Sequence, residues 1–176
     1  MSTLSTRQNF EHAMKLYHSG DSQAASEWCR KSLEATPDNV DLLTLWGVTL
    51  LDCKQSREAL APLQRAVELA PRFPRALENF GQALVLTGRV DEAVEQLQHA
   101  AKLEPHSDSV RMKLAHALAM AGKGEEADTV YEEAFGLAPD RRLLAEAGEH
   151  LRAGRTRECE LGCRELLAKN PDDVNA

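Results

Sequence analysis

Residues 77–105, LENFGQALVLTGRVDEAVEQLQHAAKLEP, decide the fold. Leu77, Phe80, Gly81 and Leu84 recur at the spacing that puts side chains on one stripe of a 3.6-residue helix. After Gly88 a second stripe begins, made of Val90, Ala93, Val94, Leu97, Ala100 and Ala101. Gly88 suits the left-handed residue that ends a helix. Pro105 closes the second helix, because its ring drives the preceding residue out of helical geometry. The stretch therefore predicts two helices joined by a tight turn.

Working outward, the same unit recurs. Prolines stand at Pro37, Pro71, Pro105 and Pro139, 34 residues apart, and a fifth follows at Pro171 after 32. Ala25, Ala59, Ala93 and Ala127 keep the beat, as do the small residues Ala13, Gly47, Gly81 and Ala115. Ser32, Ala66, Ala100 and Ala134 keep it five residues before each proline. Gly20, Gly88, Gly122 and Gly154 mark the turn, with Lys54 in place of glycine in the second unit. A small residue where two helices cross lets their backbones approach and accept a larger Leu or Phe opposite. Internal repetition at this period is the signature of a stacked helical array.

These residues resemble the tetratricopeptide-repeat family over roughly residues 6 to 171, most closely in 43–71 and 77–105. The resemblance implies an all-α, right-handed solenoid of about five stacked helix-turn-helix repeats. The repeats are expected at about 6–39, 40–73, 74–107, 108–141 and 142–173, with 174–176 opening a sixth repeat that is cut short. There are departures. The family's tyrosine in the first helix is replaced by Leu16, Leu50, Leu84 and Leu118, a tolerable core swap. Pro62 falls within the second helix of repeat two, near its start, where a mild distortion is expected. From Pro139 to Gly154 the spacing is two residues short, which makes repeat five irregular.

A single helix pair cannot bury its apolar face, so stacking builds a continuous core and a concave groove. The resemblance implies that first-helix residues line this groove and hold an extended peptide or a helix of a protein partner. Projected through the repeat phase, the groove takes Phe10, Met14 and Tyr17 from repeat one and Thr44 and Val48 from repeat two. Repeat three supplies Arg75, Glu78, Asn79 and Gln82, and repeat four supplies Lys113 and His116. Phe10 and Tyr17 are expected to grip an apolar side chain, and Asn79, Gln82, Lys113 and His116 to hydrogen-bond a partner's backbone. Chaperone-binding members of the family clamp a carboxylate with Lys and Asn in successive first helices. Here those slots hold Phe10 and Met14, or Thr44 and Val48, and only Asn79 followed by Lys113 survives, so that clamp is rejected.

Other functions are disfavoured by chemistry. A net charge of -7 gives no overall attraction for phosphates, and aromatics at 5% are too few for a base-stacking platform, so nucleic acid is not expected. No run of about 18 apolar residues encodes a membrane span, and no secretory leader opens the chain, so a cytoplasmic protein is expected. Cys159 and Cys163 lie one helical turn apart but lack further zinc ligands at suitable spacing. They occupy the repeat slots of Ala25 and Cys29, which reads as core packing. The six histidines form no metal motif, and no phosphate-cradling loop is present. No cofactor, metal or catalytic group is expected, and the chain reads as a non-catalytic protein-interaction scaffold. The alternatives are the repeat region preceding a bacterial sulfotransferase-like or glycosyltransferase-like domain, and a scaffold that self-associates through an uncapped C-terminal end.

Overall fold

The computed structural model describes residues 5–137 and Arg164. Repeat five apart from Arg164, with Cys159 and Cys163, and the expected opening of a sixth repeat lie outside the described residues. Among residues 5–137, eight helices follow one another: α1 (Thr6–His18), α2 (Ser22–Ala35), α3 (Val40–Asp52), α4 (Ser56–Leu69), α5 (Pro74–Leu86), α6 (Val90–Leu103), α7 (Asp108–Met120) and α8 (Gly124–Leu137). The first helix of each pair starts at Thr6, Val40, Pro74 or Asp108, 34 residues apart. The result is an α-solenoid in which every helix packs on its sequence neighbours.

The helix ends show how the sequence enforces that register. Gly20, Gly88 and Gly122 take φ of 83°, 81° and 75°, and Lys54 takes 61° at the equivalent position. Each lies just past the end of its first helix. The residue after it donates back to a carbonyl five positions earlier: Asp21 to Leu16, Gln55 to Leu50, Arg89 to Leu84 and Lys123 to Leu118. This ring satisfies helix-end carbonyls and needs the left-handed conformation. Lys54 thus does glycine's work, although its Cβ disfavours that conformation. At the other ends, Thr36, Ala70 and Glu104 leave helical geometry immediately before Pro37, Pro71 and Pro105. Four N-termini are capped by side chains of Ser5, Asp21, Asn39 and Ser107, and α5 opens with Pro74 in its first turn.

Packing follows the small residues. An added Cβ at Gly47 would lie 2.3 Å from Leu63 Cγ, and at Gly81 2.6 Å from Leu97 Cγ. Both leucines are fully buried. The leucine of the second helix therefore fills the space left by the missing side chain of the first. Ala25, Ala59, Ala93 and Ala127 are all buried, as are Leu50, Leu84 and Leu118 in the family's tyrosine slot. Pro62 is placed differently from the expectation. It is buried at the middle of α4, not near its start, and α4 runs unbroken for 14 residues like α2 and α6.

Candidate binding groove

First helices pack on one another across repeats, α1 on α3, α3 on α5 and α5 on α7. Among the described residues, the second helices pack only on their sequence neighbours. Elements lie closer together on the inside of a curve, so the first helices form the concave face. Two hollows open on it.

The N-terminal hollow, of about 300 Å³, lies across α1, α3 and α5. Phe10, Met14 and Tyr17 of α1 line it with Thr44 and Val48 of α3 and Arg75 and Asn79 of α5. The second hollow, of about 240 Å³, lies over α5 and α7 and is lined by Gln82, Lys113 and His116 together with Met112, Val85 and Leu86. The projected groove residues thus come together in two places. Between the hollows stands an ionic wall. Glu78 lines the first and Lys113 the second, and Lys113 Nζ donates to Glu78 Oε1 at 2.7 Å. Ser109 Oγ donates to the same oxygen at 2.6 Å.

The polar groups differ from expectation in one respect: several are already committed within the chain. The Asn79 amide donates to the Arg75 carbonyl of its own helix at 2.7 Å. Lys113 is held by Glu78, so the single cation surviving from the rejected carboxylate clamp is neutralised. Thr44 is buried, and its hydroxyl donates to the Val40 carbonyl at 2.7 Å. A helix offers its residues these internal acceptors four positions back, a competition invisible in a repeat projection. Partial burial, followed by the nearby charge of Asp52, raises the Tyr17 pKa above the ordinary phenol value.

Phe73, Asp41, Leu45 and His18 also line the first hollow. Phe73 was not projected because it precedes α5 and lies outside the first-helix phase. Its signal in sequence is an aromatic residue immediately before Pro74. Leu45 is a buried core residue that also reaches the hollow floor.

Elsewhere the chemistry is quiet. Cys29 is fully buried, and burial pushes its thiol up to about 12. Among the described residues no group of three His, Cys, Asp or Glu is placed to hold a metal ion. None of the described helices is long and apolar enough to cross a membrane.

The family profile described as tetratricopeptide repeat matches residues 6–139. The chain belongs to the tetratricopeptide-repeat family. Solved structures of the fold agree. A thermophilic TPR protein of Thermus thermophilus superposes with a TM-score of 0.74 at 20% identity, covering 97% of this chain and 94% of that one. A crystal structure of MamA gives 0.71 at 21% identity, covering 99% and 100% of the two chains. MamA from Desulfovibrio magneticus gives 0.71 at 23%, covering 77% and 76%. Among curated protein sequences there is no match.

Proposed function

We propose that this TPR chain is a non-catalytic scaffold that binds a segment of a protein partner in its concave groove. The observation that carries the reading is the pair of apolar hollows on the inner face. Phe10, Met14, Val48 and Phe73 supply apolar surface in one hollow, and Val85, Leu86 and Met112 in the other. A small number of apolar anchors seated in such hollows supplies most of the energy of an interface. The surrounding charges set orientation and encounter rate more than affinity.

Affinity capture from source lysate tests this, comparing wild type with Met14→Glu and with Glu95→Gln, an exposed change on α6 outside both hollows. Met14 is half-buried in the hollow wall and packs against the core beneath it, so a carboxylate there disrupts the site, and circular dichroism of the variant checks that the fold is kept. Proteins retained by wild type and by Glu95→Gln are expected to be lost by Met14→Glu. Identical captured sets from all three chains would refute the groove as the binding surface.

A further inference from the structure

Resting on the groove reading, we infer that Glu78 sets the groove's specificity. By holding Lys113 and Ser109 within the chain, it bars a partner's aspartate or glutamate from the middle of the groove and leaves that stretch to neutral groups.

Lys113 and Ser109 stand four residues apart on α7, one above the other on the face turned to α5. Lys113 Nζ and Ser109 Oγ both donate to Glu78 Oε1, at 2.7 and 2.6 Å. A cation and a hydroxyl converging on one oxygen form the arrangement that would receive a carboxylate from outside. Here the carboxylate comes instead from α5 of the preceding repeat. Because it is tethered, an incoming acid competes with a group that never leaves the neighbourhood.

Burial gives this contact its weight. The Arg7–Glu11, Arg30–Glu34, Arg65–Asp38 and Arg89–Glu92 pairs keep 43% or more of each side chain exposed, where water and salt weaken the attraction. Glu78 keeps 16% and Lys113 31%. At that depth charge counts for more, in attraction and in repulsion. The ammonium carries three N–H donors, and those not spent on Glu78 can still meet a backbone carbonyl or a side-chain amide. A second carboxylate is different, because one ammonium between two carboxylates leaves a negative charge uncompensated in a half-covered site. Arg111, on the same helix, is engaged by Glu133, and Lys113 is the one lysine or arginine lining the second hollow. The pair therefore discriminates by a penalty against acids more than by a gain for other groups. The exclusion is local: Arg75 lines the N-terminal hollow and is exposed, open to an acid whether or not Glu78 is charged.

The test is a selection of phage-displayed random dodecapeptides against the full chain as wild type, Glu78→Gln and Glu95→Gln. Glu78→Gln keeps the side chain's shape and an acceptor oxygen but removes its charge. Glu95→Gln removes the same charge at an exposed position on α6 outside both hollows. Peptides enriched on Glu78→Gln are expected to carry more aspartate and glutamate than those from the other two chains. In fluorescence anisotropy these acidic peptides should bind Glu78→Gln about fivefold more tightly than wild type, the upper range for a partly exposed ion pair. The gain should vanish in the Glu78→Gln/Lys113→Met chain. Circular dichroism of each variant separates loss of binding from loss of fold. Equal acidic content in the three pools, a like enrichment on Glu95→Gln, or a gain that survives Lys113→Met would each overturn the role of Glu78. Leu86→Ser in the second hollow and Met14→Glu in the first judge the groove separately. Binders of unchanged acidic content that are lost with either substitution overturn the exclusion alone and leave the groove standing. Binders indifferent to both substitutions overturn the groove, and this inference with it.

Discussion

Replacing Gly47 by alanine is the sharpest probe of how the repeats are held together. In an unconstrained helix this change is favourable by about 1 kcal/mol, because glycine is the weaker helix former. Here the new Cβ would meet Leu63 Cγ, Cδ2 and Cδ1 at 2.3, 2.5 and 2.8 Å. Carbon atoms sit comfortably at about 3.5–4.0 Å, so Leu63 must retreat by more than about 1 Å. Leu63 is fully buried in a cluster with Leu50, Phe80 and Leu84 and has no open side to move into. Overpacking of this kind costs about 1–3 kcal/mol, and contact with the branch carbon argues for the upper part of that range. Subtracting the propensity gain leaves a net loss of about 1–2 kcal/mol. The control is Leu63→Ala, which by itself costs about 2–5 kcal/mol through the lost side chain and the cavity. With Leu63 already shortened the clash is gone, and Gly47→Ala should then stabilise by about 1 kcal/mol. Urea unfolding of the four chains, followed by far-ultraviolet circular dichroism, gives the cycle. The two substitutions should couple favourably by about 2–3 kcal/mol. Gly81→Ala should cost less than Gly47→Ala, since one of its three nearest contacts, at 2.6 Å, falls clearly below 3.0 Å. A Gly47→Ala chain as stable as wild type with Leu63 in place would refute this account of the packing.

Further outcomes follow from the same geometry. Lys54→Gly should raise stability by about 0.5–1 kcal/mol, measured as a higher urea midpoint, because a residue with a Cβ is strained at φ 61°. Pro62→Ala should stabilise by about 1–2 kcal/mol in the same assay, since a mid-helix proline costs about 3 kcal/mol and only part of that is offset by its lost packing. Cys29 should resist iodoacetamide in the native chain at pH 8 and react in urea, as read by peptide mass spectrometry. Its thiol is raised from about 9 to about 12 in the fold, so the folded state holds that proton longer than the unfolded one. Its contribution is complete below pH 9 and is lost as pH rises towards 12, so Cys29→Ala should lose less stability than wild type over that window. Equal slopes for the two chains would contradict the burial effect.

The helices were legible because proline, glycine and small residues recur at fixed offsets, and each acts locally. Thr36, Ala70 and Glu104 leave the helix because the next residue is proline, whatever the tertiary structure. Lys54 was legible as the exception at the turn, and the ring of hydrogen bonds from Gln55 to Leu50 explains why the chain bears the left-handed cost. The groove positions followed from the same phase. What the phase could not give was the state of each side chain. Asn79 and Lys113 were read as donors to a partner, but a carbonyl one turn back engages the first and a carboxylate 35 residues away the second. Phe73 was missed because it stands between helices, where periodicity says nothing.

The core clusters also fix how such a chain lengthens. Leu42, Leu43 and Ala66 of repeat two pack with Ala13 and Cys29 before them, whereas Leu50, Ala59 and Leu63 pack with Phe80 and Leu84 after them. Trp46 and Val67 touch both groups. Repeat two therefore owns no interior of its own; its residues belong to two seams. A gene duplication that inserts a whole 34-residue unit adds one seam of the same kind and leaves the old ones matched. An insertion of another length within a helix puts different residues opposite one another across a seam. Among the described repeats, the 34-residue step of the first four prolines is thus the one that extends the stack with its seams matched.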